Sequence, residues 1–243
     1  MVRRWGSRLA AVAIVAGCGI LPSWFVLTTP ALAAAICPSC YGFTRLEDGI
    51  FVESNMPAEK RNLLFSSVTS AKEDVVKYFG KLSRHPTIVA CATETCDKRV
   101  GGRGARASTY SFPGGSVLRL SPRGLDRTIV THEWVHVEVH ARIGVLHQIR
   151  GAVPAWFDEG LAVIISKDER YLKSGASAAE RCTQPAEAGL PVSPFEWGPL
   201  AGKSPMIYAK AGCTVLNWLE ANGGNTGLMI ALEEVAKGGR RLP

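Results

Sequence analysis

Two histidines four residues apart, His132 and His136, enclose a glutamate in the stretch His132-Glu133-Trp134-Val135-His136. On a helix, side chains at i and i+4 share one face with Cβ atoms about 5–6 Å apart, so both imidazoles can converge on a single zinc ion at about 2.0–2.1 Å. Glu133 lies one position round the same turn and flanks the coordination position left open. A carboxylate placed there can take a proton from a metal-bound water and pass it to a leaving amine, which is the chemistry of amide hydrolysis. The pattern should arise by accident in roughly one chain in 200 of this length, before a helix is demanded of it. The competing reading of each histidine is an ordinary core or surface imidazole.

A catalytic zinc with two histidines still lacks one protein ligand. The metzincin continuation needs Gly three residues and His six residues beyond the second histidine, and those positions hold Val139 and Arg142. His140 continues the face of His132 and His136, but about 12 Å of helix rise separates it from His132, too far for one ion. Glu159, in Pro154-Ala155-Trp156-Phe157-Asp158-Glu159-Gly160-Leu161-Ala162, is the better candidate, with Asp158 its close rival. Pro154 pre-sets the first turn of a second helix. Gly160 and Ala162 are expected to let that helix lie close to the first. For a donor to the oxyanion of the tetrahedral intermediate, Tyr208 is the candidate and His147 stands behind it; the competing reading of Tyr208 is a buried helix tyrosine bonded to main chain.

These residues need elements to hold them. Val130, Trp134, Val137 and Ala141 follow the spacing of one buried stripe on a helix from about Leu125 to Arg142, leaving the histidines on the other face. Before it, Gly49 to Glu53 has strand composition, Ala58 to Phe79 is a long helical pattern ended by Gly80, and Pro86 to Ala92 is a short β-rich run. Residues 99 to 107 form a Gly/Arg-rich loop without interleaved aromatics, read as a solvated surface loop that could also grip an acidic partner. Ser108 to Phe112 and Ser116 to Leu120 read as two strands around Pro113-Gly114-Gly115. Beyond the zinc helix, Pro154 starts a helix through Ser166, residues 182 to 205 read as a Pro/Gly-rich connection, and two helices follow, Pro205 to Glu220 and Asn225 to Lys237. The fold expected is α+β: a small mixed β-sheet with the active-site helix packed on it and a helical C-terminal half, the metal lying in the groove between.

HEWVH followed by PAWFDEGLA resembles the gluzincin side of the zincin superfamily, and in particular the small peptidase MA-like proteins. Ile207-Tyr208-Ala209-Lys210-Ala211-Gly212 and Leu216-Asn217-Trp218-Leu219 are similar to that family's tyrosine-led helix after the site, and the likeness spans residues 49 to 237. The resemblance implies a zincin-like fold and one zinc ion held by His132, His136 and Glu159, with Glu133 as the base. It also implies an edge strand near Ser116 to Leu120 that pairs with an extended substrate. One departure is Val163, where relatives often carry an acid or polar residue one turn after the ligand glutamate, so the group that orients a zinc imidazole is unidentified.

Composition bounds the rest. The chain has 243 residues, 47% hydrophobic and 20% charged, enough to bury a core as one domain. Arg3, Arg4 and Arg8, the apolar run Leu9 to Ile20 and Ala31-Leu32-Ala33 read as a signal peptide over residues 1–33. Two other readings are lipidation at Cys18 in Val15-Ala16-Gly17-Cys18 and retention of residues 9–27 as a membrane anchor. Setting residues 1–33 aside lowers the net charge from +7 to +4, too little to argue for nucleic acid. Six cysteines then remain, Cys37, Cys40, Cys91, Cys96, Cys182 and Cys213, an even number that reads as disulfides in an oxidising compartment. Cys91–Cys96 is the first pair expected. The Cys37-Pro38-Ser39-Cys40 motif reads as structural within a segment of residues 34–48, with a redox or zinc CxxC as the alternative.

The sequence thus predicts an exported, monomeric zinc peptidase, periplasmic or secreted, with its catalytic domain over residues 49–243 and a peptide or protein as substrate. The alternative is a catalytically silent envelope-binding protein on the same fold.

Overall fold

The computed structural model describes residues 29–239 and 242–243. Its elements in chain order are α1 (Pro30–Ile36), a 3-10 turn (Pro38–Tyr41), β1 (Phe43–Glu47), β2 (Ile50–Glu53), α2 (Ala58–Phe79), β3 (Thr87–Ala90), α3 (Glu94–Arg99), β4 (Ala107–Phe112) and β5 (Gly115–Leu120). There follow α4 (Arg127–Ile143), α5 (Val145–Ile149), α6 (Ala155–Ile165), α7 (Ala178–Arg181), α8 (Pro194–Lys203), α9 (Ile207–Ala221) and α10 (Gly224–Ala236). The architecture is α+β: five strands come first and the second half is helical.

The strands form one mixed sheet in the order β1-β2-β3-β5-β4. β1 and β2 form an antiparallel hairpin turned at Gly49, whose φ of 73° only glycine adopts freely. The long crossover through α2 makes β3 parallel to β2, and β5 pairs parallel to β3 and antiparallel to β4. Period-two alternation sorts the faces. Ile50, Val52, Ile88, Ala90, Leu118 and Leu120 point into the main core under α2 and α4. Phe43, Val89 and Val117 point the other way, where Leu32 and Ala34 of α1 cover them. Arg119, also on that second face and only 1% exposed, is ion-paired with the buried Asp97 of α3.

The substrate-pairing strand expected at Ser116 to Leu120 is not an edge. β5 lies between β3 and β4, and the edge on that side of the sheet is β4. The tight turn at Gly114, with φ 86°, makes β4 and β5 neighbours, and because β5 takes the place beside β3, β4 is left on the outside.

Helix α4 starts at Asp126, whose side chain accepts from the Ile129 amide at 3.1 Å. Instead of one buried stripe it is buried almost all round, because α2 and the sheet cover one side while α6 and α10 cover the other. Even Glu138 has no exposure; its two carboxylate oxygens accept from the Ser83 and Arg84 amides at 2.9–3.1 Å, and Arg142 lies 3.3 Å away. A buried carboxylate satisfied in this way fixes the loop before β3 to the middle of α4.

Residues 182 to 205, expected as a connection, contain α8, which tolerates Pro199 inside it. Residues 1–28, which carry most of the leader and the apolar run at 9–27, lie outside the described residues. Ala31-Leu32-Ala33 falls within α1, where Ala31 and Leu32 are buried. Among the described residues no helix is long and apolar enough to cross a membrane. Three disulfides are present, Cys37–Cys40, Cys91–Cys96 and Cys182–Cys213.

Candidate metal centre

The groove between α4 and α6 brings together the side chains that the HExxH spacing singled out. His132 Nε2 lies 3.1 Å from Glu159 Oε2, and His136 Nε2 lies 3.7 Å from the same oxygen. One donor atom from each of the three residues lies within 4.8 Å of the others. Two ligands each about 2.05 Å from a tetrahedral zinc stand roughly 3.3 Å apart, so the spacing found is that of a three-ligand set around a small cation. All three side chains are at least three-quarters buried, so a cation there would be shielded from water on the protein side.

The cluster's electrostatics favour a cation. Burial alone would raise the Glu159 carboxyl, but the charge of His136 and hydrogen bonds with His132 and His136 hold it down to about 2. Burial likewise opposes charge on His136, and Asp158 and Glu159 overcome it, holding the imidazole well above its ordinary range. Asp158 is depressed far below the usual carboxylate range by His136 and His140, against the desolvation of its site. Two ionised carboxylates thus flank His136 and call for positive charge between them.

Asp158 resolves the question left by Val163, which is fully buried in the core. Asp158 Oδ2 sits 2.8 Å from His136 Nδ1, the nitrogen turned away from Glu159, and 3.0 Å from His140 Nε2. The carboxylate hydrogen-bonded to His136 Nδ1, in position to orient that imidazole, therefore belongs to the residue immediately before Glu159. Donor atoms of His136, His140 and Asp158 likewise lie within 4.8 Å of one another. Their contacts are those of hydrogen bonds, however, and His140 is further engaged by Ser111 Oγ at 3.0 Å and Gln148 Nε2 at 3.1 Å.

Glu133 is 9% exposed and lines the groove beside His132. Thr109 of β4 places its hydroxyl 2.6 Å from Glu133 Oε2 and 3.0 Å from the Glu133 carbonyl, tying the edge strand to the turn of α4 that carries Glu133. Tyr208 of α9 faces His132 edge-on with ring centroids 6.2 Å apart, stacks on Tyr171 and meets Trp197 edge-on. Burial and the nearby Glu159 push its phenol above the ordinary range, so the hydroxyl keeps its proton. His147 is not brought to the centre: its Nδ1 lies 2.9 Å from the Ile143 carbonyl, and it lines a separate cavity.

Gly160 serves a different contact from the one expected. A Cβ there would meet the Ala211 carbonyl oxygen at 2.5 Å and Val215 at 2.8 Å, so its smallness admits α9, not α4. Two adjoining cavities open onto His132, Glu133 and Tyr208. One, of about 400 Å³, runs over His136 and Glu159 toward Val153 and Val192; the other, of about 470 Å³, runs toward Arg103, Arg106 and Arg170.

No protein-family model matches the chain, and neither the curated proteins nor the solved structures give a significant match.

Proposed function

We propose that the chain is a zinc-dependent peptidase of the gluzincin type, acting on peptides or proteins outside the cytosol. The observation that carries this reading is the meeting of His132, His136 and Glu159 within 4.8 Å, with Glu133 in the same groove. The donor set, two imidazoles and one carboxylate, is that of three-ligand catalytic zinc sites. When bound, the ion supplies Lewis acidity toward the scissile carbonyl and acidifies an attacking water.

The chain's own residues supply the rest. Glu133, steadied by Thr109, takes a proton from the attacking water and returns it to the departing amine nitrogen. Tyr208, kept neutral by burial, donates to the oxygen on which negative charge develops. The free edge of β4 can take an extended peptide as an added strand beside the groove. Asp158 holds His136 with Nε2 turned toward Glu159. Three disulfides accord with an oxidising, extracytoplasmic location.

A silent binding protein on the same fold would have no use for a carboxylate base aimed into an accessible groove. Glu133→Gln separates the readings. Metal analysis should show zinc retained, and cleavage of a peptide library should fall by roughly 10²–10⁴-fold, the contribution of a positioned acid–base group. Cleavage by the native protein should stop with o-phenanthroline. Loss of zinc in Glu133→Gln, or cleavage untouched by it, contradicts the roles assigned.

A further inference from the structure

The arginine-lined cavity beside Glu133 is charged in a way that hydrolysis itself does not require. Arg103, Arg106 and Arg170 line it together with His132, Glu133 and Tyr208. The loop that carries Arg103 and Arg106 is held from beneath by two other arginines. Arg123 donates to the Gly104 carbonyl at 2.7 Å, and Arg119, anchored on Asp97, reaches the Ala105 carbonyl at 3.4 Å. The Ser121 amide donates to the Arg106 carbonyl at 2.9 Å, and Gly102 lies so close to Asp97 that a side chain there has no room. The backbone is therefore fixed while the Arg103 and Arg106 side chains stay exposed.

Among the described residues nothing neutralises their charges. Arg170 pairs with Asp168, and Arg123 lies 3.8 Å from Glu94. Among those residues Arg106 donates only to the Arg123 main-chain carbonyl, at 3.2 Å. Among the described residues, neither Arg103 nor Arg106 forms an ion pair. A guanidinium fork with its donors free at the rim of a groove is suited to receive a carboxylate in two-point contact.

We infer that this half of the groove selects peptides bearing a carboxylate, and that the carboxylate sits on the C-terminal side of the bond cleaved. The orientation comes from the sheet. β4 begins at Ala107, directly after the arginines, so a peptide added antiparallel to it runs its C-terminal end toward Arg103 and Arg106. The inference rests on the peptidase reading for its location but on the arginines for its chemistry, and the two are tested apart.

Binding is measured on zinc-loaded, full-length Glu133→Gln protein, which needs no turnover, with peptide pairs that differ only in Glu against Gln. Both peptides of a pair are amidated at the C-terminus. A third arm, Gln with a free C-terminus, distinguishes a side-chain carboxylate from a terminal one. The expected preference for the carboxylate is roughly tenfold at low salt, weakening as the Debye length shrinks to about 10 Å at 0.1 M ionic strength. Adding Arg103→Ala and Arg106→Gln should bring the Glu/Gln ratio close to one, and Arg103→Glu with Arg106→Glu should turn it in favour of Gln. Digestion of a peptide library by the native protein should place acids after the cut. Equal binding of Glu and Gln peptides, or a preference that survives both arginine changes, overturns the inference. A preference without any cleavage by the native protein overturns the peptidase reading and leaves the acidic ligand standing.

Discussion

Asp158 and Glu159 are neighbours in the chain, yet they grip His136 from opposite ring nitrogens, Asp158 at Nδ1 and Glu159 at Nε2. Asp158 Oδ1 is buried without a hydrogen-bond partner, so the interaction with the two imidazoles through Oδ2 is what holds this carboxylate in place. Removing it leaves His136 free to turn and strips two imidazole nitrogens of their acceptor. Asp158→Ala should therefore weaken metal affinity by roughly 10–100-fold, the usual cost of losing such an orienting partner. His140→Ala, which leaves the His136 contact intact, should weaken it less. Competition with a chromophoric chelator reads both, and equal losses would mean that Asp158 acts only as bulk. The convergence of His132 and His136 was legible in the sequence because a helical period of 3.6 converts a spacing of four into a distance. Asp158 was not. Adjacent helix residues point about 100° apart, and only the way α6 crosses α4 decides that both carboxylates arrive on one imidazole.

Helix α6 is positioned from behind as much as from in front. It packs more heavily on α9 than on α4, and the approach is close enough at Gly160 that a methyl group would strike the Ala211 carbonyl. A main-chain oxygen inside a helix cannot rotate away, so Gly160→Ala must push the two helices apart. Overpacking of this kind costs about 1–3 kcal/mol, and the roughly 1 kcal/mol of helix propensity that alanine returns offsets only part of it. A fall in Tm of roughly 3–6 °C is expected, with weaker metal binding because Asp158 and Glu159 ride on the displaced turn. Calorimetry with and without zinc measures it; an unchanged Tm with full metal affinity would show that α9 does not set the position of α6. At this scale the sequence was readable where pattern and punctuation agree, as in α2, bounded by Pro57 and Gly80. It was misread where they conflict. Gly198, Pro199 and Gly202 argue against a helix over 194–203, yet Pro194 at the first turn and the Ser193 cap start one, and Trp197 anchors it in an apolar cluster with Ala155 and Leu190. The edge position of β4 depended on strand order, which no local pattern encodes.

Taken whole, the molecule has a strand-rich first half knit by main-chain pairing and a helical second half whose longest connection, between α7 and α9, makes few contacts of that kind. Cys182–Cys213 ties the start of that connection directly to α9 across a sequence separation of 31. Cys37–Cys40 and Cys91–Cys96 span separations of only 3 and 5. In the loop-closure account, the constraint on the unfolded chain grows with the loop, reaching about 3–4 kcal/mol for a loop of some 30 residues. The same tether steadies the stretch that carries α8 and Trp197 over the groove. Cys182→Ala with Cys213→Ala should lower Tm by roughly 6–15 °C, whereas Cys37→Ala with Cys40→Ala, at a short and largely exposed loop, should lower it by a small fraction of that. Thermal melts of the two double variants against the oxidised parent decide the matter. If the Cys37–Cys40 variant falls further, the stabilisation comes from the packing of the N-terminal segment on the sheet and not from closure of the long loop.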